Sequence, residues 1–399
     1  MAGAEGLPRD LLEAIYRRCS SPYDRARFAA VCMSWQAAAL EWRTPLPALP
    51  LLLPSTGNDR RDRMTRAYSL EDGRVLRAPL PYFPYGKRIV GCHDGGWVAA
   101  TSGSLVEVAN LFTGARLMQR DLTCKCPTVL GVTDKISLDK VVFSEEPVTK
   151  GCIMAAITKR CKIVLCGLDG KDDSGWSTQG CGTHEIPNLV DITFYNGELY
   201  GLSCDQFLYR FAIGRSKDGP NEDGASVITL FKQLTTEIPI YYGNAKYIFE
   251  LRGKLAIAVE ILSICNAPTF RVFELAVYWD IITRSYYTWV EVTCLGDHAL
   301  FLGPGCCKAT HVSSTGVTDG VVEANRIYYT RPEGYANHLP MLDLGSCAVY
   351  CSVSDDVQRP NRIMSQGYYY REKDYGCNYN EKEDTSWHNS CTWVLPPHF

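Results

Sequence analysis

One short motif returns along this 399-residue chain: a glycine-bearing turn between two strand-like runs. It stands as His93-Asp94-Gly95-Gly96-Trp97-Val98 and as Lys150-Gly151-Cys152-Ile153-Met154. It returns as Tyr195-Asn196-Gly197-Glu198-Leu199-Tyr200 and as Leu251-Arg252-Gly253-Lys254-Leu255-Ala256. Counted between Gly95, Gly151, Gly197 and Gly253, the spacings are 56, 46 and 56 residues. Ala324-Asn325-Arg326-Ile327-Tyr328-Tyr329 reads as a fifth copy that has lost its glycine. A unit of roughly 40 to 50 residues that supplies four strands has the period of a propeller blade. A large β-sandwich is the competing fold, and it would lack the repeated hairpin.

A second hairpin type supports the repeat. Ser69-Leu70-Glu71-Asp72-Gly73-Arg74-Val75 and Asn110-Leu111-Phe112-Thr113-Gly114-Ala115-Arg116 read as outer-strand turns, with Gly73 and Gly114 41 residues apart. From about Leu49 onward, runs rich in Val, Ile, Tyr and Phe alternate with Gly, Asn and Asp turns, with almost no helical period. The expectation is a mainly β chain with about six blades, centred on residues 49–80, 88–120, 140–185, 189–234, 246–293 and 299–370. A propeller closes its ring so as to leave few free strand edges. The C-terminal run Cys391-Thr392-Trp393-Val394-Leu395 is strand-like, so residues 391–396 are expected to complete the first blade, near Leu49 to Leu53.

The first 43 residues have a different texture and are expected to form a separate helical module, with 44–399 as the β-domain. Pro8 suits a helix start, where its missing N–H has no partner to lose. Asp10 adds negative charge near the positive end of the helix dipole. Leu11, Leu12, Ile15, Tyr16 and Cys19 fall on one face at helical spacing. Ser21-Pro22 reads as the start of a second helix, whose apolar stripe is Phe28, Val31, Cys32, Trp35 and Ala39, with a break near Cys32. The ordered string Leu7-Pro8-x-Asp10-Leu11-Leu12-x-x-Ile15, Asp24-x-x-Arg27 and Val31-Cys32-x-x-Trp35 resembles an F-box. Met33 and Gln36 depart from it, standing where that family usually carries basic residues. The resemblance implies a Skp-type adaptor as partner, and through it a cullin-RING ligase. Leu7, Pro8, Leu11, Leu12, Ile15, Val31 and Trp35 are the implied adaptor-binding residues.

A second resemblance spans nearly the whole chain. Gly296-Asp297-x-Ala299-Leu300-Phe301-Leu302-Gly303, Asn325-Arg326-Ile327-Tyr328-Tyr329 and the closing Trp393-Val394-Leu395-Pro396 are similar to a large family of plant F-box proteins. The C-terminal domain of that family is often described as kelch-like and has no assigned biochemical activity. The resemblance implies the substrate-recognition subunit of an SCF-type ubiquitin ligase, an interaction protein without its own active site. The alternative is a propeller enzyme or small-ligand-binding protein whose N-terminal helices are only a cap.

Composition narrows the field. A net charge of -3 without a basic stripe gives no footprint for nucleic acid. The longest apolar runs are short and broken by Pro, so no membrane span is expected. The opening residues Met1-Ala2-Gly3-Ala4-Glu5-Gly6 do not read as a secretory signal. Eighteen cysteines are scattered through apolar runs, which fits free thiols in a reducing compartment, cytoplasm or nucleus. The close pairs Cys124-x-Cys126, Cys161-x4-Cys166, Cys306-Cys307 and Cys347-x3-Cys351 do not match the spacing of zinc modules, so no metal is expected.

The chain carries no G-x-S-x-G elbow, P-loop, G-x-G-x-x-G after a strand, or H-E-x-x-H, and no cofactor is expected. His93 and His298 stand beside Asp94 and Asp297 and read as turn residues. Tyr85, Trp176, Tyr241, Tyr242 and Tyr375 are aromatic residues in expected loops and are the candidate target contacts. The charged, tyrosine-rich stretch from Ser365 to Ser390 is either a plain surface loop or a target-contacting one.

Overall fold

The computed structural model describes residues 7–19, 25, 28–29, 31–42, 49–54, 67–69, 74–75, 80, 82, 87–103, 105–121, 138–158, 163–168, 177–178, 188–204, 207–215, 226–234, 246–262, 268–278, 286–312, 322–330, 350–353 and 391–396. These residues form a β-propeller preceded by α1 (Arg9–Arg18), a helical stretch that includes Arg25, Phe28 and Ala29, and α2 (Met33–Glu41). The strands lie in six four-stranded sheets.

In spatial order from the innermost strand, sheet one is Cys391–Val394, Leu51–Pro54, Tyr68–Ser69 and Arg74–Val75. Sheet two is Arg88–His93, Trp97–Ser102, Leu105–Asn110 and Arg116–Asp121. Sheet three is Leu138–Phe143, Ile153–Thr158, Ile163–Gly167 and Ser177–Thr178. Sheet four is Leu189–Tyr195, Glu198–Ser203, Leu208–Arg215 and Ser226–Gln233. Sheet five is Lys246–Leu251, Lys254–Leu262, Pro268–Tyr278 and Tyr286–Val292. Sheet six is Cys307–His311, His298–Leu302, Arg326–Tyr329 and Tyr350–Val353. From sheet one to sheet six, each innermost strand lies beside the next.

Both faces of most strands are apolar, because each sheet is covered on both sides. Alternate residues therefore serve alternate neighbours. Ala99, Val106 and Val108 of sheet two pack on Val141, Met154 and Val164 of sheet three. Val98 and Ala109, from the same two strands of sheet two, pack on Leu51, Leu53 and Val394 of sheet one. Ala155, Ile157 and Leu165 of sheet three meet Leu189, Leu199 and Phe211 of sheet four. Leu202 and Leu208 then meet Ile257 and Phe273 of sheet five. Phe249 and Ala258 meet Leu300, Ile327 and Tyr329 of sheet six. Finally Phe301 and Tyr328 meet Leu52, Trp393 and Leu395 of sheet one.

The last contact returns the chain to its start. Cys391–Val394 pairs antiparallel with Leu51–Pro54, in the register Leu51 to Val394, Leu52 to Trp393 and Leu53 to Thr392. Trp393 is fully buried; its Nε1–H donates to the Leu302 carbonyl at 3.0 Å, and its ring meets Phe301 edge-on at 5.2 Å. Gly303 makes room for it, since a Cβ there would lie 2.8 Å from Thr330 Oγ1 and 3.2 Å from Trp393 Cδ1.

The recurring turns sit between the first two strands of sheets two to five. Asn196-Gly197 and Arg252-Gly253 have positive φ at both residues (48° and 76°, 51° and 73°), the backbone of a two-residue hairpin turn. Gly151 closes a longer connection, from Phe143 to Ile153. The fifth copy is not a hairpin of this kind. Asn325 does take a positive φ of 59°, but the strand after it, Arg326–Tyr329, runs parallel to His298–Leu302. The preceding hairpin, through Gly303-Pro304-Gly305-Cys306, turns inward and makes Cys307–His311 the innermost strand. Asn110 fixes the outer turn of sheet two: its Oδ1 accepts the N–H of Phe112 and Thr113, and its Nδ2 donates to the Gly95 carbonyl.

Deleting residues 390–399 removes the partner of Leu51–Pro54 and one wall of the contact with sheet six. The truncated chain is predicted to be insoluble or to melt far below the full chain in a thermal scan. The single change Trp393→Ala should cost about 3–5 kcal/mol in denaturant unfolding. A truncated chain that melts like the full one would refute the closure.

Candidate functional site

The helical module is small and its core is aromatic. Leu12, Tyr16, Phe28, Ala38 and Ala39 are buried together, with Leu7, Ile15, Trp35 and Trp42 packed around them. Phe28 lies 4.5 Å from the Trp35 ring and 5.3 Å from Tyr16, centroid to centroid. Pro8 caps α1, its carbonyl accepting the N–H groups of Leu11 and Leu12 at 3.1 Å each. The break near Cys32 is real: Cys32 is extended (φ -167°, ψ 173°) and α2 begins after it. An ion pair between Arg9 and Glu41 ties the two helices, and Arg17 pairs with Glu13 along α1.

The motif residues divide by role in this packing. Leu11 and Val31 are each 47% exposed, and Pro8 is exposed. Leu12, one residue on and so about 100° round the helix, is buried in the core of the module. Leu7, Ile15 and Trp35 are half-buried. Met33 and Leu40, which the sequence reading did not select, are 81% and 63% exposed. Leu11, Val31, Met33 and Leu40 thus give this small module four outward-facing apolar side chains.

Near the propeller axis the chemistry is polar. Lys140 of sheet three and Asp191 of sheet four form a buried ion pair. Asp191 Oδ1 also accepts the Ile192 N–H at 2.8 Å, and Oδ2 accepts the Ile248 N–H of sheet five at 2.9 Å. One carboxylate therefore joins three sheets. Burial, the largest single effect, would lower the Lys140 pKa; the Asp191 charge and hydrogen bond, with contributions from Cys307 and Cys306, together outweigh it and the net direction is up, so Lys140 stays cationic. Sheets two and three are joined by Arg88, which donates to the Leu138 carbonyl and lies 3.7 Å from Asp139. Lys308 of sheet six pairs with Asp94 of sheet two at 2.9 Å.

Three cysteines lie among these groups. Cys306 is buried, Cys92 and Cys307 are half-buried, and all three are free thiols. Burial pushes the Cys307 thiol up to about 12 and raises Cys92 as well, the reverse of an activated nucleophile. At the far end of sheet six, Asp297 bridges two imidazoles: His298 Nδ1 at 2.7 Å and His311 Nε2 at 3.0 Å. Among the described residues no group of three or more His, Cys, Asp or Glu is placed to hold a metal. Nor is any helix there long and apolar enough to cross a membrane.

The candidate target contacts Tyr85, Trp176, Tyr241, Tyr242 and Tyr375 all lie outside the described residues, as do Cys124, Cys126 and the stretch from Ser365 to Ser390. The axial charges were missed in the sequence, although they left a signal. Lys140 and Asp191 each interrupt an apolar run, Leu138-Asp139-Lys140-Val141-Val142-Phe143 and Leu189-Val190-Asp191-Ile192. A charge at an inward position of such a strand needs a partner.

Replacing Asp191 by Ala strands the Lys140 ammonium and two backbone donors. The variant is predicted to lose about 3–5 kcal/mol in denaturant unfolding. The paired change Lys140→Met with Asp191→Leu should cost much less than Asp191→Ala alone. Equal losses would show that the pair is not a coupled unit.

No curated protein sequence matches the chain. Structural comparison finds matches of low overlap. BBS1N, solved in complex with ARL6DN, has TM-score 0.31 and 10% identity, covering 73% of this chain and 69% of its own. The Cps50 (Swd1) propeller of Myceliophteria thermophila gives 0.31 and 12%, covering 60% and 69%. The Malassezia sympodialis allergen Mala s 1 gives 0.33 and 10%, covering 77% and 91%. At these scores none bears on function. The KIB1-4 beta-propeller family model matches residues 67–374, more than half the chain, and with the fold above it places this protein in the KIB1-4 beta-propeller family.

Proposed function

We propose that the chain is a substrate receptor of an SCF-type cullin-RING ubiquitin ligase. Residues 1–43 act as an F-box that binds a Skp-type adaptor, and a six-bladed, kelch-like propeller holds the target protein. The observation that carries this reading is the helical module. It follows the ordered F-box string, has its own aromatic core, and still turns Leu11, Val31, Met33 and Leu40 to solvent. Exposed apolar side chains concentrated on so small a unit favour a docked partner. Leu11 and Val31 belong to the motif and would be covered by the adaptor. Leu12, Tyr16 and Phe28 hold the module together, and Trp35 stacks on that core.

In this account the chain does no chemistry of its own. It raises the effective concentration of a target lysine near the loaded conjugating enzyme. The thiols, mostly free, suit work in the cytoplasm or nucleus. Aromatic loop residues, with Tyr85, Trp176, Tyr241, Tyr242 and Tyr375 as candidates, would meet the target.

The test uses the exposed positions and leaves the core alone. Leu11→Glu with Val31→Glu should weaken adaptor binding at least tenfold in a titration, about 1.4 kcal/mol. The thermal melt of the propeller should not change. The same double variant should fail to promote target ubiquitination in a reconstituted ligase. Undiminished adaptor binding by the folded variant refutes the F-box reading. Turnover of a small molecule by the full chain would put the enzyme alternative in its place.

A further inference from the structure

Sheets two and six are not paired, yet they meet at the axis on either side of sheet one. Gly305 is the clearest sign: a Cβ there would lie 3.4 Å from the Ile89 carbonyl oxygen and from the Val90 carbonyl carbon. Lys308 reaches Asp94 across the same gap at 2.9 Å. Between these two contacts stand Cys306 and Cys92. Cys92 packs against the cluster that contains Cys306, and the offset that sets Gly305 against Val90 and Lys308 against Asp94 sets Cys306 level with Cys92. Both are free. Cys307 is differently engaged, its thiol donating to the Gly303 carbonyl at 3.4 Å.

We propose that Cys92 and Cys306 form an oxidisable dithiol site, which a peroxide converts to a disulfide joining sheet two to sheet six across sheet one. One thiol, on losing its proton, attacks a peroxide oxygen and breaks the O–O bond. The sulfur becomes a sulfenic acid, and the departing oxygen leaves as water. The second sulfur attacks that sulfenic sulfur and releases a second water. In all, two thiols lose two electrons and two protons, and one hydrogen peroxide becomes two waters. A thiol reductant reverses the bond.

The site has a consequence for the fold. Closure at sheet one rests on the noncovalent pairing of Cys391–Val394 with Leu51–Pro54. A bond from residue 92 to residue 306 would bypass that seam and close a very long loop, which favours the folded state. Burial keeps the Cys92 thiol protonated, so the reaction is slow and answers to sustained peroxide, not to a brief pulse.

The experiment treats the full chain with hydrogen peroxide, alkylates the remaining thiols, and maps peptides by mass spectrometry. A Cys92–Cys306 cross-linked peptide is expected, lost after dithiothreitol, together with a rise in melting temperature of roughly 5 °C. The exposed Cys204 and Cys294 report that the oxidant has acted. The rise should vanish in Cys92→Ala and in Cys306→Ala and persist in Cys307→Ser. The mapping needs only the unsubstituted chain, so it decides the matter even if a variant folds poorly. Oxidation of Cys204 and Cys294 with Cys92 and Cys306 still alkylated overturns the proposal, as does a Cys306–Cys307 bond.

Discussion

The structure depends on a four-residue antiparallel pairing between its two ends, Leu51–Pro54 with Cys391–Val394. Every other sheet is made of strands that are near neighbours in sequence. Sheet one alone borrows its innermost strand from about 340 residues away, and so turns a row of sheets into a ring. Its two faces are used separately. Leu51, Leu53 and Val394 pack toward sheet two, whereas Leu52, Trp393 and Leu395 pack toward sheet six. That division follows from the two-residue period of a strand, and a slip of one residue would send Trp393 to the wrong neighbour.

Between sheets the packing is apolar, while near the axis it is charged and hydrogen-bonded. The reason is geometric. The innermost strands converge, leaving little room for large side chains but many backbone groups and carboxylates within reach of each other. Gly91 shows the crowding, since a Cβ there would fall 2.3 Å from the Val141 carbonyl oxygen. Asp191 answers it by serving Lys140, Ile192 and Ile248 at once. Such buried charge gives little net stability but penalises any arrangement in which a partner is missing. It therefore acts on register more than on strength.

Much of this was legible in the chain. The Gly-turn hairpins at 95, 197 and 253 mark the inner ends of their sheets, because a tight turn with positive φ favours glycine and asparagine, although Arg252 also takes it. The strand character of Cys391 to Val394 pointed to pairing with the first blade. Sheet six misled the reading, because turn chemistry is local and Asn325 carries it, while strand order is not. Nothing near Asn325 announces that Arg326–Tyr329 runs parallel to His298–Leu302. The helical module was readable from its spacing, except that a helix face cannot by itself separate Leu11, outward, from Leu12, inward. The axial ion pair left only two charges in apolar runs, and partners 51 residues apart are not paired by pattern alone.

The proposed receptor role needs a rigid platform, and the ring supplies one only if its seam stays shut. Native-state hydrogen exchange tests this most directly. The amides of Leu51 to Leu53 and of Thr392 to Val394 should exchange only through the same global opening as Ala99 and Ile257, deep in sheets two and five. Exchange of the seam amides at the rate of a frayed terminus, with Ala99 and Ile257 still protected, would show that the ring is open and would contradict the account.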